Sequence, residues 1–239
     1  MAGDTSDWER IASAYVRTQG ERTGRYIRDR LRAELWDMFG DVRDRSVLDV
    51  GCGDGWLTAE LVAAGASVTG VDGFSTLLEE ARRVCPEAAL IRHDLLEGLP
   101  DLPGGFDLAV SSMVLMDLPD LDPLLLALSR VLEPHGRFLF AILHPCFFNY
   151  VWTTDPATGR PARLVGDYLD ECVWRIASFG GHNHYHRPLS AYIQSLRRHG
   201  FLVSDMREPL HRRGGGETED GPSQPLLLFC EAVLTTERP

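Results

Sequence analysis

The 239-residue chain is poor in cysteine: Cys52, Cys85, Cys146, Cys172 and Cys230 are scattered and no two stand at CxxC spacing. Neither a disulfide framework nor a zinc knuckle is encoded, and the usage fits a reducing, cytoplasmic compartment. Long apolar runs are missing too. Nowhere do about 18 apolar residues stand together, which excludes a membrane-spanning helix. The first twenty residues interleave Asp, Glu and Arg with apolar positions, so they hold no signal-peptide core. Positive charge is scarce: 24 Lys and Arg face 35 Asp and Glu, a formal net charge of −11. Such a surface repels a phosphate backbone, so nucleic acid is a poor partner. What is present is 44% hydrophobic residues and 25% charged, which excludes disorder and suits one large domain over residues 1–239.

From Asp7 to about Phe39, apolar residues such as Trp8, Ile11, Tyr15, Ile27, Leu31 and Leu35 recur three and four apart. The spacing predicts amphipathic helices over 1–44, broken in two at Gly20 and Gly24. From Ser46 short apolar runs alternate with longer amphipathic ones, the pattern of an α/β domain with a parallel sheet covered by helices. Strands are expected at 46–50, 67–71, 88–92, 106–111 and 137–143, and helices near 56–64, 75–84 and 121–132. The alternation lapses over 144–187. A helix at about 188–199 then precedes FLVSDMREPL and PLLLFCEAVL, two strand-like runs joined by HRRGGGETEDGPSQ, which is expected to be a mobile hairpin loop.

The run VLDVGCGDGWLTAEL sets Gly51, Gly53 and Gly55 on alternate positions where a strand turns into a helix. Glycines there let bare N–H groups approach a ligand that a Cβ would strike. A nicotinamide dinucleotide site has the spacing GxGxxG. Here the order is GxGxG, preceded by Asp49, with the third glycine one residue early, and this disfavours a dehydrogenase. Asp72 ends the second strand, where ligands lie in an open parallel sheet. Its carboxylate can accept from both hydroxyls of a ribose, or it can cap the following helix. Asp94 follows the third strand and can accept from the exocyclic amine of an adenine while Leu95 packs on the ring. Alone it reads equally as a turn residue.

In this combination the sequence resembles the class I S-adenosylmethionine-dependent methyltransferases of the bacterial small-molecule type. VLDVGCGDGWLT is similar to their first motif, GVDGFSTLLEEARR to the second, RHDLLEGLP to the third, and FDLAVSSMVLMDLPDLDPLLLALSRVLEPHGRFLFAI to the fourth and fifth. The resemblance implies a Rossmann-like seven-stranded sheet, order 3-2-1-4-5-7-6, with strand 7 antiparallel, N-terminal helices and an insertion after strand 5. Residues 46–143 would form the donor-binding core, with the last helix and strands 6 and 7 in 188–239. It also implies S-adenosylmethionine as methyl donor and S-adenosylhomocysteine as product. The donor would be held around Tyr15, Asp49, Gly51, Cys52, Gly53, Asp72, Gly73, Asp94, Leu95 and Ser111. Tyr15 reads equally as a core aromatic.

Members acting on an amide or base amine carry an NPPY-like run after strand 4, where this chain has SSMVLMD. With the negative charge, that departure points to a small-molecule acceptor. Residues 144–187 then become the acceptor cap. They hold eight of the 21 aromatics, about twice their length-weighted share, which suits an apolar pocket for an aromatic natural-product precursor or, alternatively, a second small core or a subunit contact in a homo-oligomer. Phe147, Tyr150, Trp152 and His186 are the candidate substrate contacts. His144, directly after strand 5, is the candidate base, or merely a positioning imidazole. HNHYH at 182–186 lacks an accompanying Cys or acid at ligand spacing, so no metal is expected. The other readings are a catalytically inactive donor-binding partner subunit and an NAD-dependent dehydrogenase.

Overall fold

The computed structural model describes residues 6–19, 21–148, 151–209 and 225–235; the loop expected at 211–224 lies outside them. Two helices come first, α1 (Ser6–Gln19) and α2 (Arg22–Phe39). Gly24 lies inside α2 rather than breaking it. A Cβ at Gly24 would run into the carbonyl of Thr18, so this glycine allows α2 to start hard against the end of α1.

There follow β1 (Ser46–Val50), α3 (Trp56–Ala63), β2 (Ser67–Asp72), α4 (Ser75–Val84), β3 (Ala89–Arg92), β4 (Phe106–Ser112), α5 (Asp122–Val131) and β5 (Leu132–Leu143). β5 starts five residues before the expected Arg137, because Leu132 pairs with Phe106 before the chain bulges and pairing resumes at Arg137 opposite Leu108. Segment 144–187 is not without regular structure. It forms two hairpins, β6 (Val151–Thr154) with β7 (Pro161–Leu164) and β8 (Cys172–Ile176) with β9 (His182–His186). The chain ends in α6 (Leu189–Arg198), β10 (Phe201–Arg207) and β11 (Leu227–Leu234).

The seven-stranded sheet runs β10-β11-β5-β4-β1-β2-β3. Its inner pairs are parallel, and β11 is antiparallel to both of its neighbours. With β10 and β11 as strands 6 and 7, this is the order 3-2-1-4-5-7-6. Alternating side chains feed two cores. Phe138, Phe140 and Ile142 of β5 face Leu124, Leu128 and Leu196, whereas Leu139 and Ala141 face Leu31, Leu35, Leu57 and Leu61. Arg137 donates to the carbonyls of Met38 and Phe39, placing a cation at the carbonyl-rich end of α2. Because α3, which follows β1, packs in one core and α5, which follows β4, in the other, the connections leaving the carboxyl ends of these neighbouring strands turn to opposite faces and leave a crevice.

Candidate active site

The glycine loop closes that crevice from below. The N–H groups of Gly51 and Cys52 donate to the carbonyl of Val71 at 2.7 and 3.1 Å, fixing the loop on the tip of β2. Gly55 is left-handed (φ 80°), and a Cβ on it would lie 2.8 Å from the Ala81 Cα of α4, so helix packing demands glycine there. Gly53 is also left-handed (φ 56°), but a Cβ on it would meet nothing within 4 Å. That position opens on a cleft whose space, counted out to the solvent, is about 630 Å³.

Asp72 is buried at the cavity wall. One of its oxygens accepts from Gly53 N at 3.0 Å and the other from Phe74 N at 2.9 Å. It therefore both organises the entry to α4 and faces the cavity. Burial pushes its carboxyl up to about 6, against the pull of those backbone N–H groups. Asp94 accepts from Leu96 N at 3.0 Å, starting a short helical turn, and lines the cavity together with Leu95. Tyr15, Gly51 and Gly73 line it too.

Asp49, Cys52 and Ser111 are not among the lining residues; they support the loop from behind. Asp49 accepts from the Thr58 hydroxyl at 2.6 Å, and burial pushes it up to about 7. The Cys52 sulfur packs on Gly70, and burial holds its thiol well above the usual range. Ser111 donates to the carbonyl of Val50 at 3.1 Å, tying β4 to β1. The residues just after β4 line the cavity instead: Ser112, Met113, Val114, Asp117 and Leu118. Met113 is left-handed (φ 64°), a conformation uncommon outside glycine.

α1 roofs the cavity. Trp8 and Tyr15 meet edge to face at 5.7 Å, and Phe179 closes on Tyr15 at 5.3 Å. Burial, followed by the negative charge of Asp54, raises the Tyr15 phenol far above its usual range. Glu9 accepts from the Ser75 hydroxyl at 2.9 Å, pinning the helix to α4. Arg10 donates to the carbonyls of Gly180 and Gly181 at 3.1 and 2.6 Å, and Asp7 pairs with Arg175, joining the helix to the second hairpin. The sequence reading missed Trp8 as a lining residue. Its signal was present, since Trp8 and Tyr15 stand seven apart on one helical face.

The expected acceptor residues are placed elsewhere. His144 is buried and does not line the cavity. Its Nδ1 accepts from Cys146 N at 3.1 Å and its Nε2 lies 2.6 Å from a Glu208 carboxylate oxygen, so both ring nitrogens are engaged. Phe147 packs on the His144 ring at 4.7 Å, also off the cavity lining. Tyr150 and the side chain of Trp152 lie outside the described residues. On β9, His182, His184 and His186 share one buried face. Trp174 stacks between His184 at 5.4 Å and His186 at 4.3 Å, and Phe148 covers His184 at 5.2 Å. His186 Nε2 donates to the carbonyl of Tyr168 at 2.9 Å, and its ring is packed rather than turned to the cavity. Burial drives His184 down to about 4, which leaves it neutral. Among the described residues no three His, Cys, Asp or Glu side chains gather as metal ligands, and no helix is long and apolar enough to cross a membrane.

A family model described as a methyltransferase domain matches residues 48–140. A ubiquinone biosynthesis O-methyltransferase from Colwellia psychrerythraea is 30% identical over 181 residues, 73% of this chain and 68% of that protein. One of the same name from Methylococcus capsulatus is 33% identical over 125 residues, 51% of this chain, and the match spans about half (53%) of that relative's length. Among solved structures, an S-adenosylmethionine-dependent methyltransferase from Mesorhizobium loti superposes with a TM-score of 0.69 at 28% identity, covering 84% of this chain and 96% of that one. A glycine loop open at Gly53, acids at the next two strand tips, the observed strand order and these matches converge, and the chain belongs to the class I S-adenosylmethionine-dependent methyltransferases.

Proposed function

We propose that this protein methylates a small acceptor with an apolar or aromatic body, of the natural-product-precursor kind, at an oxygen, nitrogen or carbon nucleophile in the cytoplasm. One observation carries the reading: besides Gly53 and Asp72, the same cavity is lined by the apolar side chains of Trp8, Met113, Val114 and Leu118. Relatives named for ubiquinone biosynthesis support a small acceptor, and the free cysteines agree with a reducing compartment. In this reading residues 1–44 cap the donor, 46–143 bind it, and 144–187 support the acceptor side.

The residues present fit the donor. Gly53 leaves its face of the loop open, and Asp72 and Asp94 line the cavity together with the apolar side chains of Leu77, Leu95 and Phe74. When bound, the donor supplies a methyl group already activated by a positively charged sulfur. The chain's task is alignment. Asp72 accepts the sugar hydroxyls, at about 1.5–3 kcal/mol for each bond to its charge. Asp94 and Leu95 take the base, while Trp8 and Tyr15 cover the site and exclude water. Holding the two reactants in line supplies up to about 7–11 kcal/mol of the barrier.

Calorimetric titration with S-adenosylhomocysteine tests the donor half. Asp72→Ala is expected to weaken binding about 100-fold, as the loss of two charge-assisted bonds requires. Unchanged affinity would remove Asp72 from the site, and failure of the wild-type protein to bind would overturn the reading.

A further inference from the structure

On the cavity lining is an arrangement that donor binding leaves unexplained. Asp117 stands in the short helical turn Leu115–Asp117 after β4, lines the cavity and is only 8% exposed. Its Oδ1 has no hydrogen-bond partner among the described residues. His182, 7% exposed at the start of β9, brings Nε2 to 3.9 Å from that oxygen, too far for a hydrogen bond, while its ring is also approached by the Ser178 backbone carbonyl. A buried carboxylate left this way is costly. A cation stands close by without relieving it: Arg187 donates to the carbonyls of Leu115 at 3.4 Å, Tyr185 at 3.3 Å and Leu118. Trp8 covers the His182 ring at 5.0 Å, so the pair sits under the same roof as the donor pocket.

We propose that Asp117, bordered by His182, is the acceptor's polar anchor: its carboxylate, which lines the cavity, accepts a hydrogen bond from the hydroxyl or amine that is to be methylated, whose apolar body lies on Trp8, Met113 and Leu118. This deepens the methyltransferase reading and rests on it. As the nucleophile's lone pair forms the new bond to the methyl carbon, the electron pair of the broken carbon–sulfur bond stays on sulfur. The proton released from the O–H or N–H passes to the Asp117 carboxylate. Burial favours that transfer, since it raises the Asp117 carboxyl well above its ordinary range and lowers His182, leaving a neutral imidazole beside it.

The test uses the full chain saturated with S-adenosylhomocysteine and equilibrium dialysis with three probes: 4-chlorophenol, 4-chloroaniline and chlorobenzene. Whichever hydrogen-donating probe matches the nucleophile is expected to bind about 10-fold more tightly than chlorobenzene, and which one does so separates a hydroxyl from an amine acceptor. Both Asp117→Asn and Asp117→Ala should abolish that preference while S-adenosylhomocysteine affinity stays within about 2-fold, which shows that the fold and donor pocket are intact. Equal binding of all three probes, or a preference that survives both variants, overturns the proposal. Loss of S-adenosylhomocysteine binding by the wild-type protein would instead strike the donor reading.

Discussion

The two sides of the cavity are built on different principles. The side proposed for the donor is backbone geometry: a loop held to Val71 by two N–H bonds, and Asp72 anchored by the N–H groups of Gly53 and Phe74. Its parts follow one another at strand tips between Gly51 and Leu95. The side proposed for the acceptor is made of side chains from distant places, with Trp8 on α1, Asp117 after β4 and His182 on β9. The first can be rigid because neighbouring residues make it. The second exists only once α1 and the hairpins have docked.

The sharpest way to break this contrast is at Gly55. Gly55→Val drives a side chain into Ala81 from a left-handed residue and is expected to cost about 3 kcal/mol, lowering Tm by roughly 10 °C. A melting curve like that of the parent would show that the loop is not held by α4 packing.

Asp49 probes what the donor side costs. Burial raises its carboxyl from the ordinary 3.8 to about 7, so its contribution to stability is fully present below the ordinary value and is lost as the pH rises through about 7. Asp49→Asn should therefore flatten part of the decline in ligand-free stability between pH 4 and 7, gaining about 2 kcal/mol at pH 8. Denaturant unfolding across pH would expose the contrary result, a parallel slope in both proteins.

The smallest effect is expected at the roof. Asp7 is held well below the usual carboxylate range by hydrogen bonds from Arg175 and Arg10, yet the pair is exposed. Arg175→Ala is expected to cost only about 0.5 kcal/mol of global stability while speeding amide exchange in α1. Exchange in α1 that matches the parent would mean the roof is fastened elsewhere.

Legibility followed the same division. The sheet order and the placement of the glycine loop, Asp72 and Asp94 at successive strand tips could be read because periodicity and turn chemistry are local. Gly24 misled because its role is close approach to Thr18 rather than helix breaking. The bulge before Arg137 was hidden, since only the partner strand reveals it. The aromatics and histidines of 144–187 read as a pocket, whereas Trp174, His184, His186 and Phe148 stack on one another. Asp117 stood in the quoted SSMVLMD run without any local mark of its burial. Its significance depends on His182, 65 positions away.

The bonds from α1 to the second hairpin join residues 168 to 171 positions apart. Closing so long a loop is entropically late, so the sheet can be complete while the enclosure over it is still unmade. The site is thus assembled in order of sequence distance, and its outermost wall is the least committed part of the molecule, the one through which reactants can enter without disturbing the strands beneath.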